Sequence, residues 1–570
     1  MGLRSIPIEI ALLIASCLYP EDLFHWALSC RQFAYLIRDN AICRASLRVR
    51  RPSAFPDTHT DSAWKTRQFT YEARKATKTA SWAKALRTHV KRRSALQEAQ
   101  PFTVSVVEGS NHFVYANGGL CYTIGEAQLY LLDFYEPRQW SWSFDYRQLL
   151  QFRSPEVSQV SRKYLFRPLH YAHGLVSCLY SSKSATSQHW LIVIDVTTKA
   201  TLTVCWLDTI DHIWVRNTSE WLYCGISPEP DDDELRSWTL SQFDVRKCRW
   251  SSRKIPLPKM PHGDLGVSNS FEIFNGCLYG ASSKMSVNLA SDDDHAWNSF
   301  YYVFRFPLGQ ADAAQVMDKP ASWRRQPADG DVDDRWSSLQ LVQEEESGEI
   351  YLYESRREIL ESMSRYQRTC YRRNITFARY DGPRTQPWQP WQPDDWDSES
   401  FRDDFMSVDV HHGDDWSRDT TTYTHREAPI RSYVPTCRTF LDVITTGQGR
   451  RCLHVRARPR DTYRGRSRCV KVASPGGAEH ASADHGVYTW PSELLKREKQ
   501  LTALQYDPDT ATQPLEWYGD EKFVVYALQS MVPESRRRIA IISFDPSAQV
   551  VIAETLLRPP SHTRMAFNET

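Results

Sequence analysis

Apolar residues in the opening segment "SIPIEIALLIASCLYPEDL" (5–23) recur at the spacing of an α-helix. Ser5 is placed to cap that helix, and Pro7 falls in its first turn, where a missing N–H costs nothing. Two apolar stripes result, one made of Ile6, Ile10, Leu13, Ile14, Cys17 and Leu18, the other of Ile8, Ala11, Leu12 and Ala15. A short helix that is apolar on two sides must be buried on two sides. The pattern therefore predicts that one stripe faces its own domain and the other a partner.

Two further helices are predicted before residue 47. Pro20, Glu21 and Asp22 form an acidic start, which the helix dipole favours, and the stripe that follows is Leu23, Trp26, Ala27 and Cys30. Ser29 and Gln32 have capping-box spacing for a third helix that carries Phe33, Leu36 and Ile37.

An export signal is the competing interpretation of the opening segment, with Cys17 as a lipid-anchor site. It is disfavoured because Pro7 and Glu9 interrupt the apolar core that such a signal needs. A myristoylation pattern also fails, since position 6 is isoleucine rather than serine or threonine.

The ordered residues of this segment resemble an F-box, the helical module that joins substrate receptors to SCF-type cullin ubiquitin ligases. The resemblance rests on Ile6-Pro7, Glu9, Ile10, Ile14, Leu18, Asp22-Leu23, Cys30-Arg31-Gln32-Phe33 and Leu36. It departs at Ile6, where leucine is usual, and at Ala41-Ile42-Cys43, where the family often has Leu-Trp. An unrelated N-terminal helical hairpin is the alternative. The resemblance implies binding to a Skp-type adaptor and, through it, to cullin, and we expect the adaptor surface to comprise Ile6, Pro7, Ile10, Ile14, Leu18, Asp22 and Leu23.

The next segment, residues 48–100, is predicted to be a polar joint followed by a helical linker. Residues 61–99 contain neither proline nor glycine, and we place Trp64, Phe69, Trp82, Leu86 and Val90 on the inner side of one or two helices. The basic run 91–93 is interpreted as a solvated helix end rather than as a nucleic-acid signal.

From residue 101 the pattern changes to short alternating strands that repeat every 50–70 residues. Each repeat has a turn, often with glycine, then two strands, the second ending near Asp or Arg. In "HWLIVIDV" (189–196), Leu191 and Val193 share one face with Asp195, and Trp190, Ile192 and Ile194 share the other. Six such phrases are clear and "RCLHVRAR" (451–458) suggests a seventh, so residues 101–560 are predicted to form a β-propeller of six or seven blades. There is no regular Gly-His…Trp-Asp signature, and a series of β-sandwich domains is the alternative.

Closure of the ring is expected to pair "FTVSVVE" (102–108) with "RIAIISFD" (538–545) or "QVVIAETLL" (549–557). Residues 383–425 are rich in Pro, Trp and Asp, and we expect them to be an exposed, disordered and removable insertion. The basic stretch 426–471 is expected to neutralise the acidic loop before it rather than to contact nucleic acid.

Composition narrows the class of protein further. The net charge of +1 gives no overall attraction to nucleic acid or membrane, and the 13 cysteines are scattered without CxxC pairs. Free thiols of this kind are typical of a reducing compartment, so we expect a cytoplasmic or nuclear location, or both. The 20 tryptophans favour a β-rich body that buries aromatic side chains.

Enzyme motifs are absent from the sequence, which has no GxSxG, P-loop, HExxH or GxGxxG in register. "TTGQGRR" (445–451) lacks the lysine of a P-loop, and His411, His412, Asp414 and Asp415 are weak metal ligands in a loop. The helical and strand patterns predict a multidomain α + β chain with three N-terminal helices, a helical linker and an all-β propeller, and the resemblance identifies the three helices as an F-box. The resemblance implies substrate recognition in a ubiquitin ligase, and we expect no catalytic residue, cofactor or metal and an unknown protein substrate. A propeller-fold enzyme, or a glycan- or ligand-binding protein, is the alternative.

Overall fold

A module of short helices is followed by a ring of small antiparallel sheets in the computed structural model of the chain. The structure describes residues 7–29, 31–50, 76, 79, 81–124, 128–134, 142–145, 164–182, 188–210, 212–227, 237–261, 263–288, 297–317, 322–325, 332–344, 348–360, 365–377, 421–423, 432–446, 452–459, 488–490, 516–528, 537–547 and 554–557.

The helical module consists of α1 (Ile8–Cys17), α2 (Pro20–Ser29), a 3₁₀-helix (Arg31–Ile37), α3 (Asn40–Arg50) and, further along the chain, α4 (Trp82–Gln97). Pro7 occupies the N-cap position of α1, so the predicted cap at Ser5 is wrong. The start of α3 is capped by Asp39, whose carboxylate accepts hydrogen bonds from the N–H groups of Ala41 and Ile42 at 2.8 and 2.9 Å.

The capping box predicted at Ser29 and Gln32 does not form. Ser29 is the last residue of α2, and its hydroxyl donates a hydrogen bond back to the carbonyl of Trp26 at 2.7 Å. The segment that follows is a 3₁₀-helix instead of the predicted α-helix, although Leu36 and Ile37 are buried as the pattern required.

Thirty strands are assigned in the described part of the chain, and we group them into seven blades. Blade 1 comprises the second half of β1 (Thr103–Ala116), β2 (Gly119–Ile124), β3 (Gln128–Asp133) and β4 (Trp142–Asp145). Blade 2 comprises β5 (Tyr164–Ala172), β6 (Leu175–Ser182), β7 (His189–Asp195) and β8 (Ala200–Leu207). Blade 3 comprises β9 (His212–Asn217), β10 (Trp221–Ser227), β11 (Ser237–Asp244), β12 (Arg249–Trp250) and β13 (Ile255–Pro261).

Blade 4 comprises β14 (Asn269–Phe274), β15 (Cys277–Asn288), β16 (Trp297–Pro307), β17 (Gln315–Val316) and β18 (Trp323–Arg325). Blade 5 comprises β19 (Val332–Gln343), β20 (Ile350–Leu360), β21 (Arg365–Asn374) and β22 (Thr421–Tyr423). Blade 6 comprises β23 (Ser432–Val434), β24 (Thr439–Thr446), β25 (Cys452–Pro459) and β26 (Tyr488–Trp490). Blade 7 comprises β27 (Trp517–Gly519), β28 (Phe523–Leu528), β29 (Arg537–Ser543), the first half of β1, and β30 (Glu554–Leu557).

The blades form a closed β-propeller because each packs on both of its neighbours. Seven hydrophobic clusters join them in order, blade 1 with 2, 2 with 3, and so on until blade 7 meets blade 1. In β7, Leu191 and Val193 pack towards blade 3, whereas Ile192 and Ile194 pack towards blade 1. The predicted division of "HWLIVIDV" into two buried faces is confirmed, and a series of sandwich domains is ruled out.

Strand β1 closes the ring by belonging to two blades. Residues 103–110 pair with β29 along one edge, and residues 104–106 pair with β30 along the other edge. Beyond a register shift between Ser110 and Phe113, the strand continues into blade 1 and pairs with β2. Both predicted closing partners are therefore used.

Turn chemistry explains the repeated phrases in the sequence. Asn117-Gly118 and Asn275-Gly276 have positive φ at both residues, the backbone that a two-residue hairpin turn requires. Where glycine is missing, a side chain holds the turn: the Thr218 hydroxyl accepts from the N–H of Trp221 at 3.1 Å. In blades 2 and 3 the aspartate that ends the third strand caps the following turn, as Asp195 does by accepting from the Thr197 N–H at 2.8 Å.

Helix α4 is buried where the sequence predicted a solvated end. Trp82, Leu86 and Val90 lie on its inner side as predicted, but the side chains of Arg92 and Arg93 are also buried. Arg92 forms an ion pair with Glu521 in the turn before β28, and Arg93 donates to Glu21 in α2 at 2.9 Å. Lys91 is exposed as predicted, but Arg92 and Arg93 form a structural junction, because folded acidic partners compensate the burial of their charges.

Several predicted features lie outside the described residues. These are Trp64, Phe69, most of the polar joint, and residues 383–420 and 424–425 of the insertion. Residues 421–423, which the insertion was predicted to include, form the outer strand β22 of blade 5.

A glycine in β10 makes room for the contact between blades 3 and 4. Gly225 lies directly opposite Trp214, whose indole covers the glycine and stacks on Phe271 of blade 4 at 4.2 Å between ring centroids. We expect Gly225→Ala to lower the free energy of unfolding by about 1–3 kcal/mol, because the added methyl overlaps the indole. Urea unfolding measures the change.

The control variant removes the Trp214 indole, with which the methyl group added at position 225 would overlap. In a Trp214→Leu background, which is itself less stable, Gly225→Ala should cost clearly less than in the wild-type chain. Equal costs in the two backgrounds would show that the indole is not what the glycine accommodates.

Candidate partner-binding surface on the helical module

The outward face of α1 is apolar although it is exposed. Ile10 retains 47% and Leu13 65% of its accessible surface, and Pro7 and Cys17 are exposed as well. Ile10, Leu13 and Cys17 are spaced by three and four residues, so they form one stripe along the helix. We call Pro7, Ile10, Leu13 and Cys17 the α1 face.

The opposite side of α1 anchors the helix in its module. Ala15 is completely buried, and Leu12 and Leu18 pack against the same cluster, which includes Leu36 and Ile42. Helix α1 packs directly on α3. Helix α1 is thus held by Leu12, Ala15 and Leu18 and presents Ile10, Leu13 and Cys17. The two apolar sides are as predicted, except that Leu18 of the first stripe turns to the core.

The seven residues predicted to bind an adaptor have different environments. Pro7, Ile10 and Asp22 are exposed, Ile14 and Leu18 are half-buried, and Ile6 lies outside the described residues. Leu23 is fully buried in the cluster around Ala27 and Leu36. Its side chain is therefore core rather than free surface, because α2 turns positions 23 and 27 inward together.

Besides Cys17, three exposed large apolar side chains in the described part of the module were missing from that set. Leu13 was recognised as part of a helical stripe but was not assigned to the surface, and its exposure is the largest of the three. Leu28 and Tyr35 are 41% and 39% exposed. Their exposure depends on how α2 and the 3₁₀-helix pack, which helical periodicity alone does not specify.

A cluster of ionisable groups is buried between blades 4 and 5. Arg324 donates to Glu354 at 2.6 Å and 3.0 Å, and the hydroxyl of Tyr301 donates to the same carboxylate at 2.5 Å. Burial alone would raise the pKa of Glu354, but the Arg324 and Arg356 guanidinium groups overcome it and hold that pKa below its ordinary value. Glu354 is almost inaccessible, so the cluster fastens two blades and is not an accessible reactive centre.

Metal and membrane sites were also sought in the described parts of the chain. Those residues contain no group of three or more His, Cys, Asp or Glu side chains arranged to hold a metal ion. His411, His412, Asp414 and Asp415 lie outside them. No described helix has the length and apolar character needed to span a membrane.

Comparison with known proteins gives structural neighbours but no sequence family. No protein-family model and no curated protein matches the chain. The WD40 domain of SCAP from fission yeast is similar over 78% of this chain and 96% of its own, with 8% identity and a TM-score of 0.35. A subtype N11 neuraminidase-like protein of A/flat-faced bat/Peru (H18N11) is similar over 45% of this chain and 70% of its own, with 10% identity and a TM-score of 0.22. Neither similarity carries functional information, and the propeller rests on the packing of its own blades.

The two leucines Leu13 and Leu23 test the division between the α1 face and the core. We expect Leu23→Ala to lower the free energy of unfolding of the helical module by about 2–5 kcal/mol, because it leaves a cavity in a closed cluster. Leu13→Ala should change it by no more than about 0.5 kcal/mol, because the side chain is mostly in water. Denaturant unfolding followed by tryptophan fluorescence compares them, and equal effects would contradict this division.

The buried Glu354 cluster predicts a pH-dependent effect. The folded pKa of Glu354 lies below its ordinary value of 4.5, so its ionised form stabilises the chain above that pH and the contribution is lost as pH falls. Glu354→Gln should therefore be strongly destabilising at pH 7, by about 3–5 kcal/mol. The difference from wild type should shrink in urea unfolding as the pH is lowered through the folded pKa, whereas a pH-independent difference would contradict the prediction.

Proposed function

We propose that this chain is a substrate-recognition subunit of an SCF-type cullin ubiquitin ligase. In this proposal the helical module binds a Skp-type adaptor through the α1 face, and the propeller binds the protein to be modified. The single observation that supports it most is the exposed apolar α1 face, on a helix whose residues follow the order of an F-box.

Physical chemistry favours a protein partner for the α1 face. Isolated apolar side chains on a surface are normal, but a row of them along one helix is typical of an interaction site. Burying each side chain contributes about 1.5–3 kcal/mol before the costs of association are subtracted. Ile14 and Leu18, which are half-buried, border the face, and Asp22 is exposed at the start of the next helix.

A receptor of this kind needs no catalytic residue of its own. Its contribution is to hold a substrate near a transferase that belongs to other subunits. The rate of modification rises because the two reacting groups are held close together. The propeller provides the rigid second surface, and the identity of its protein substrate is open. The role implies a cytoplasmic or nuclear location, which imaging of a tagged chain would test.

The proposal is tested by titrating the purified full chain with a Skp-type adaptor by calorimetry. We expect binding at micromolar concentrations or below, and the double variant Ile10→Ser, Leu13→Ser should weaken it roughly tenfold to a hundredfold. Both side chains are exposed, so the variant should melt at the same temperature as the wild type.

A matched control lies on the propeller. Leu265 is 37% exposed, and Leu265→Ser should leave adaptor binding unchanged. If the wild-type chain shows no binding at micromolar adaptor, the receptor proposal fails at its first step. A ligand-binding or enzymatic propeller would then be the function to examine.

A further inference from the structure

Helix α4 belongs to two hydrophobic cores at once. Its first half, with Trp82, Leu86 and Val90, packs into the cluster of the helical module. Its second half, with Leu96 and the following Ala99, packs into the cluster between blades 6 and 7. The helical module and the propeller are therefore joined by a buried helix and not by a flexible linker.

A buried ionic network holds the middle of this helix to the propeller. The side chain of Arg92 has no exposed surface, and its guanidinium nitrogens lie 3.1 Å from the Glu521 carboxylate and 3.4 Å from that of Asp545. Lys522 pairs with the same Asp545 carboxylate at 3.5 Å. Nearby, burial raises the pKa of the Cys437 thiol to about 12, with Glu521 adding to the rise.

Asp545 has two functions in this network. Its Oδ1 accepts from the N–H of Ser547 at 2.8 Å, as Asp195 and Asp244 do for their own turns in blades 2 and 3. Its Oδ2 faces Arg92. The helix thus docks on a turn that the blade repeat already provides, next to the strands that close the ring.

The other side of α4 is tied to the helical module by hydrogen bonds. Arg93 donates to the Glu21 carboxylate at 2.9 Å, and the Ala83 N–H donates to the Asn40 side chain at 2.9 Å. Consecutive arginines therefore reach in different directions, Arg92 to the propeller and Arg93 to α2. Arg438 of blade 6 adds a direct contact, with its guanidinium 5.6 Å from the ring centre of Tyr19.

We propose that Arg92 is a positioning residue that fixes the orientation of the α1 face relative to the propeller. Apolar packing tolerates rotation and sliding of one body on another, whereas a buried guanidinium between two carboxylates has its charges compensated in one arrangement only. The chain is thereby a single rigid scaffold with its helical and propeller surfaces at a set distance. This inference concerns the isolated chain and does not rest on adaptor binding.

The experiment measures the distance between the two bodies. Cys17 at the end of α1 and Cys248 in blade 3 are exposed, so spin labels on these thiols report it once other accessible cysteines are changed to serine. Pulsed dipolar spectroscopy should give one narrow distance distribution for the wild-type network. Arg92→Met, which keeps the apolar stem and removes the charge, should at least double its width.

Two further variants make the result decisive. Arg253→Met removes an exposed ion pair with Asp312, in which both side chains are more than 70% accessible, and should leave the distribution unchanged. Glu521→Gln removes one partner of Arg92 and serves if Arg92→Met does not fold. It should broaden the distribution as well.

A narrow, unshifted distribution in folded Arg92→Met or Glu521→Gln, even with a lower melting temperature, would overturn the proposal. The network would then stabilise the chain without orienting its parts. Adaptor titration of the same variants is a separate measurement. If the chain does not bind the adaptor, the proposed function is contradicted, but the inference about Arg92 is not affected.

Discussion

Ring closure is the constraint on which the rest of this structure depends. A four-stranded blade with two apolar faces cannot bury both of them alone, and only a neighbour on each side removes them from water. The last pair of neighbours forms because β1 is shared, pairing with β29 and β30 in blade 7 and with β2 in blade 1. If this strand were lost, two blades would be incomplete at once and the ring would have open edges.

Closure also determines where the helical module sits. The strand that closes the ring directly follows α4, and the aspartate that pairs with Arg92 directly follows β29, the closing partner of that strand. The helix therefore packs between blades 6 and 7, and blade 7 is the one in which the first and last strands of the propeller pair. Its position couples the fold of the N-terminal module to the completion of the ring.

The same coupling gives the proposed function a geometric basis. A receptor in a multi-subunit ligase must hold its substrate in a limited region of space, and a flexible joint would spread that region. Here the α1 face lies at one end of a helical module that is held by α4 and its buried charges. The stability of the chain and the orientation of the α1 face depend on the same residues. Substitutions where α4 meets the propeller should therefore affect both.

The sequence by itself determined the local structure and the repeat. Period-two alternation, turns that often contain glycine, and strands that end near Asp or Arg are local signals, and they predicted the repeated blade units and the two faces of "HWLIVIDV". The need to cover open ring edges predicted the closing segments. Helical periodicity likewise predicted that α1 has two apolar sides. The tertiary structure alone decided which side is exposed, that Leu23 belongs to the core, and that Arg92 and Arg93 are buried. These outcomes depend on partners far along the chain, such as Glu521 and Asp545 for Arg92, and burial of a charge becomes favourable only once such a partner is in place.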